Sequence, residues 1–129
     1  QICRAGLEAI CFQTRAVLEA MARVSGKAAT LVSVDGGMTR SDEIMAMQAA
    51  VLKTPLRRAA TVHVAALGAA LMAGIGAGVW KGTAEIHPLM GGGSPVDDTS
   101  FATEAWDDRY AHWRAAVDLT RQWKIHGRA

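Results

Sequence analysis

At 129 residues the chain has the size of a single domain and is long enough to bury a core without disulfides or metal. A hydrophobic content of 50%, a charged content of 20% and a mean hydropathy of +0.12 exclude an intrinsically disordered chain. The net charge of +2 is too mild for a nucleic-acid-binding surface, and Lys and Arg are dispersed with no aromatic-basic strip.

The chain opens on Gln1 and runs at once into a helical pattern with no cap ahead of it, so it reads as a piece of a longer protein. From Ala5 to Arg23 the residues Leu7, Ile10, Cys11, Val17, Leu18 and Met21 recur at helical spacing, and Gly26 is the expected C-cap. Cys3 and Cys11 on this helix lie about 12 Å apart along its axis, too far to bridge. Two buried thiols are expected, which suits a reducing cytoplasm.

Thr30 to Val34 is short, β-branched and bounded by glycine, the pattern of a buried strand that Asp35-Gly36-Gly37 ends. A second helix is expected from Thr39–Ser41 to Leu52, with Asp42 and Glu43 in its first turn and Pro55 beyond its end. Leu56 to Ala59 then reads as a brief edge strand, completing a strand, helix, strand unit of the α/β kind.

Val64 to Trp80 contains only apolar residues and glycine, flanked by His63 and Lys81. At roughly 17 residues it sits at the lower limit of a membrane span, and its many Ala and Gly contribute little transfer energy, so a buried soluble helix is expected. Gly68, Gly74, Gly76 and Gly78 imply close approach of a neighbour along it. The stretch 86–103 reads as a long polar, mobile loop. A terminal helix over 104–124 follows, with Trp106, Tyr110, Trp113 and Val117 as one docking stripe.

The most informative local feature is a strand, then Asp35-Gly36-Gly37, then a helix, because paired glycines let backbone approach a planar or anionic ligand. A tight strand-to-helix turn explains the same residues. The dinucleotide and P-loop glycine motifs are both missing. Ser41 either caps the second helix or offers its hydroxyl to a base or ribose. Thr39 with Asp42 forms an imperfect capping box, which would leave Ser41 free. Asp35 is either a general base or an acceptor of backbone N–H bonds in the turn. His63, His87, His112 and His126 are scattered at no metal-ligand spacing, and no nucleophile has an oriented base.

Four segments, in order, resemble the glycerol kinase branch of the FGGY carbohydrate kinases. They are Leu7 to Met21, Val34-Asp35-Gly36-Gly37-Met38, Ala66-Leu67-Gly68-Ala69-Ala70 with Gly78-Val79-Trp80, and Tyr110 to Val117. The resemblance implies a helix-rich α/β portion of an actin-like, ribonuclease-H-like ATPase fold, with residues 1–129 as the C-terminal part of its second domain. It implies ATP and Mg2+ as cofactors, a small polyol as substrate, a missing N-terminal kinase domain as partner, and cytoplasmic location without nucleic-acid or membrane partners; self-association is expected because apolar surface is exposed where that domain would pack.

By the same resemblance, Gly36, Gly37 and Ser41 belong to the ATP site, with Gly37 against the adenosine. Ser41 stands where glycerol kinases usually carry Asn, as in other sugar kinases of the family, and Arg40 precedes it. His63-Val64-Ala65 replaces the usual Glu-Thr-Thr, so xylulose, erythritol or ribitol stand beside glycerol as acceptors. A non-catalytic actin-like interaction module is the rival class. The family's catalytic Asp and metal ligands precede the matched segments, so no catalytic or metal residue is named.

Overall fold

The computed structural model describes residues 1–61, 63–97, 99–101 and 103–122. The expected end of the last helix at Lys124 and the fourth histidine, His126, lie outside these residues. Helix α1 spans Ile2–Ser25, longer than its apolar period suggested, and is stopped by Gly26. At φ 69° Gly26 turns left-handed, and its N–H donates to the Ala22 carbonyl.

The buried residues of α1 are Glu8, Cys11 and Phe12, while Ile10, Val17 and Met21 are exposed. The expected apolar stripe is therefore only partly the packing face. Helix α5 (Trp106–Gln122) and helix α2 (Asp42–Leu52) both pack on α1. Both cover the Cys11–Phe12 side, and Glu8 is buried because Arg109 of α5 and Arg4 reach its carboxylate. Cys11 is buried but Cys3 is exposed, which corrects the expectation of two buried thiols.

Strand β1 (Val32–Val34) runs parallel to β2 (Leu56–Arg58), with α2 between them in sequence, so the expected strand, helix, strand unit is present. Two details differ. Strand β3 (Ser94–Pro95) pairs antiparallel with β2, so β2 is the central strand rather than an edge. β1 is then left on the rim and is half-buried instead of buried. Pro95 suits β3 because an edge strand can lack one ladder donor.

The stretch 86–103, read as a loop, follows the short helix α4 (Thr83–Ile86) and carries two 3-10 turns, His87–Met90 and Thr99–Phe101, around β3. Gly93 explains the return to the sheet. Its φ of 121° is open only to glycine, and a Cβ there would run into the Arg58 carbonyl.

Helix α3 (Val64–Gly76) departs most from expectation. It forms but stops at Gly76; only Leu71 on it is buried, and Met72 on the helix and Val79 beyond its end stand exposed. An all-apolar helix is buried only where neighbours surround it, and the other described elements pack on α3 only lightly. Of its three glycines only Gly74 meets a close neighbour, the Trp80 ring lying where a Cβ would go. Gly78, beyond the helix end, is a turn residue at φ 77°. Among the described residues no helix is long and apolar enough to cross a membrane.

The core joins α1, α2 and α5. Phe12 sits among Trp106, Tyr110 and Trp113, with ring centroids 6.3, 5.7 and 5.8 Å away, which is the docking expected of the α5 stripe. Cys11, Met47, Ala50 and Val51 complete the cluster. Around it Arg15 donates to Asp107 and Glu19, and Lys53 reaches Asp107. Hydrogen bonds from Lys53 and then Arg15 hold the Asp107 carboxyl below its ordinary range.

Two expectations follow from this core. Phe12→Ala removes the ring on which three aromatic side chains converge and should cost about 3–5 kcal/mol in a urea unfolding experiment. A loss under 1 kcal/mol would mean that the cluster collapses freely. The second concerns pH. Burial, and secondarily the charge of Glu8, pushes the Cys11 thiol from 9.0 up to about 11. A raised thiol pKa contributes stability that is complete below pH 9 and is lost as pH climbs toward 11. Unfolding midpoints should therefore fall between pH 9 and about 11, and Cys11→Ala should flatten part of that fall. Tyr110, whose phenol is also raised, mainly by burial, contributes to the same fall. An identical fall in wild type and variant would assign none of it to Cys11.

Candidate functional site

β1 ends at Val34, and the chain needs a sharp change of direction before α2 begins at Asp42. Gly36 supplies it at φ 92° and ψ 176°, a conformation that side chains rarely adopt. A 3-10 turn over Gly37–Arg40 follows. Thr39 is buried inside it, its hydroxyl donating to the Gly36 carbonyl at 2.7 Å, with the Thr39 N–H on the same oxygen at 3.2 Å. The turn is thus locked from within by Thr39.

Ser41 is the N-cap of α2. It is extended at φ −87° and ψ 116°, and its Oγ accepts the Ile44 N–H at 3.3 Å. That corrects the capping-box reading of Thr39 with Asp42. Thr39 lies within the 3-10 turn and cannot reach forward, whereas Ser41, the last extended residue, projects its hydroxyl over the first helical turn. The cap uses one lone pair of Oγ and leaves the O–H able to donate. Ser41 can therefore cap the helix and still face a ligand.

Asp35 is exposed and, among the described residues, its carboxylate takes no hydrogen bond. The expectation that it accepts backbone N–H groups in the turn is overturned, and the turn is closed instead by the Thr39 and Ser41 N–H groups on the Gly36 and Met38 carbonyls. Gly37 is exposed with open space where a side chain would stand, and Met38 beside it is 45% exposed. A bare backbone next to a polarizable thioether is a surface on which a flat ring can lie.

Asp42 and a residue that drew no attention in the sequence, Arg58, bind this turn to the sheet. Arg58, at the end of β2, stands opposite Val34 in register and donates to the Asp42 carboxylate at 2.6 Å. A basic residue closing the returning strand and an acidic one opening the helix were the available signal. Arg58 and Asp42 also line a groove of about 530 Å³ with Glu43, Asp97, Ser100 and Phe101. Gly36, Gly37 and Ser41 are not part of its lining, so the turn and the groove are separate surfaces.

Three acidic side chains line that groove, but among the described residues no set of three His, Cys, Asp or Glu is arranged to hold a metal ion. The Mg2+ implied by resemblance therefore finds no fitting ligand set here. His63 and His87 are exposed, on either side of α3.

The cap makes one measurable demand. Ser41→Ala should destabilise α2 by about 1 kcal/mol, while Ser41→Asp, an equally good cap, should hold the unfolding midpoint near wild type. Equal losses in the two variants would mean that Oγ contributes nothing as a cap.

The sequence matches the FGGY family of carbohydrate kinases, C-terminal domain, over residues 1–77. It is 40% identical over 126 residues to glycerol kinase of Gloeobacter violaceus, covering 95% of this chain and 24% of that protein. Glycerol kinase of Corynebacterium glutamicum is 42% identical over 117 residues, which are 91% of this chain and 23% of that protein. The fold is similar to a crystal structure of Plasmodium falciparum glycerol kinase with ADP. That match has a TM-score of 0.64 and 25% identity, covering 91% of this chain and 23% of the other. The chain thus spans about a quarter of the length of the relatives it matches. With the turn from β1 to α2 inside the matched segment, and the helix-rich α/β architecture shared with a solved glycerol kinase, the chain belongs to the FGGY family of carbohydrate kinases.

Proposed function

We propose that this chain forms the adenosine-side wall of the ATP site in an ATP-dependent carbohydrate kinase whose acceptor is a polyol, glycerol foremost. The observation that carries this reading is the Gly36–Ser41 turn, which lies within the family match and presents an open glycine, an exposed thioether and a free O–H donor on one short segment. The adenine ring lies over Gly37 and Met38, and the Ser41 hydroxyl donates to an acceptor on the base or ribose.

In the reaction an acceptor hydroxyl oxygen attacks the γ-phosphorus, the bond to the β-phosphate bridging oxygen breaks, and ADP leaves. The hydroxyl proton passes to a base that is not among the residues assigned here. What this chain contributes is orientation of the nucleotide, which lowers the entropy lost in bringing donor and acceptor together. Such a kinase works in the cytoplasm, where ATP is abundant and the free thiols of Cys3 and Cys11 stay reduced.

A second acceptor class stays within the same reading, because by resemblance Ser41 stands where other sugar kinases of the family carry Ser and glycerol kinases usually carry Asn. The test is ADP release by the polypeptide that carries this chain, with magnesium and ATP, against glycerol, erythritol, ribitol, xylulose and no acceptor. Turnover with glycerol is expected. Turnover only with another acceptor moves the specificity and keeps the nucleotide reading, and silence with all of them overturns the kinase in favour of an actin-like interaction module.

A further inference from the structure

We propose that Arg58 is a positioning residue for the nucleotide-binding turn, acting through Asp42; the proposal rests on the reading of that turn as part of the ATP site. The turn from Asp35 to Ser41 has two ends, Val34 and Asp42, and Arg58 holds both. Its backbone is in register with Val34, and the next N–H, that of Ala59, donates to the Val34 carbonyl at 2.9 Å. Its guanidinium donates to Asp42 at 2.6 Å. One residue thus closes a ring through the strand end, the turn and the helix start.

The anchor itself is rigid. β2 is the central strand, Arg58 is paired with Ser94 on its other side, and Gly93 packs against its carbonyl. Within the guanidinium, Nε is buried and, among the described residues, has no hydrogen-bond partner. A buried donor left unpaired is unfavourable, so the guanidinium sits where its bond to Asp42 places it rather than where all its donors would be satisfied. Among the described residues, the contact with Asp42 is the ion pair that Arg58 forms.

That contact contributes little to global stability. Asp42 is 88% exposed, and an ion pair open to water on one side is screened. Its effect is local. It sets the distance between β2 and the first residue of α2, and so the placement of Ser41, one residue earlier, and of the open face at Gly37. A small, local coupling predicts an equally modest shift in nucleotide affinity with the chemical step left alone.

The experiment uses the full polypeptide that carries this chain, with Arg58→Gln, Asp42→Asn, their double variant, Arg58→Lys, and Gly37→Val as a direct probe of the turn. Gly37 has ordinary backbone angles and open space beside it, so valine is accommodated. Four quantities are read: ATP KM, kcat, melting temperature, and the dissociation constant of ADP by calorimetry. Arg58→Gln and Asp42→Asn should each weaken ADP and raise the ATP KM about three- to fivefold, with kcat within about twofold and little change in melting temperature. The double variant should match either single one, and Arg58→Lys should recover part of the loss.

If both single variants bind ADP like wild type while Gly37→Val does not, the turn binds nucleotide without Arg58 and the proposal fails alone. If Gly37→Val also binds ADP normally, the nucleotide reading of the turn fails and takes the proposal with it. A drop in melting temperature and kcat for Arg58→Gln with no effect of Asp42→Asn would make Arg58 a structural residue only, again against the proposal.

Discussion

The core of this chain is arranged around the burial of α2. From Met45 to Val51 seven consecutive residues are buried, so this helix has no solvent face over its middle two turns. A helix covered on all sides must satisfy its polar groups within the protein. Gln48 does so by donating from Nε2 to the Cys11 carbonyl of α1 at 3.3 Å, and the helix start does so through Ser41. The end is awkward. Lys53 takes a left-handed conformation at φ 52°, unfavourable for a residue with a Cβ, while its ammonium reaches Asp107 on α5.

The helices that enclose α2 are joined to each other by two kinds of force. Phe12 and the three aromatic residues of α5 supply non-directional apolar burial, which holds α5 near α1 without fixing its rotation. Direction comes from charge. Arg109 binds both oxygens of the buried Glu8, and Tyr110 donates to Glu19 at 2.8 Å while Arg15 lies over its ring. A buried carboxylate that lost its arginines would be left as an uncompensated charge, so these pairs select one register of α5 more than they add stability.

The same division of labour appears at the turn. Gly36 provides the conformation, Thr39 locks it, Ser41 starts the helix, and Arg58 spans the gap from outside. None of these contacts uses the Gly37 face, which stays open. The site is therefore a rigid rim with a bare floor. α3 stands in contrast, an apolar helix with most of its surface uncovered and only Leu71 inserted among its neighbours.

Read alone, the sequence determined the existence and order of the principal helices, the parallel strand pair, the glycine turn between β1 and α2 and the family resemblance. Those are local properties, since helical period, β-branched runs and glycine punctuation act over a few neighbouring residues. What only the tertiary structure decided was which side of each element is covered. Ile10, Val17 and Met21 carry the period of a buried face yet lie open, Glu8 breaks it yet is buried, and α3 has the composition of a core helix without a core around it. Burial depends on residues distant in the chain, as Arg109 shows for Glu8. At the site, Gly36 was legible because a positive φ leaves a mark in the sequence, but Thr39 and Ser41 both carry hydroxyls suited to a cap. The choice between them was made by the 3-10 turn, and the link from Arg58 to Asp42 by the register of β1 on β2.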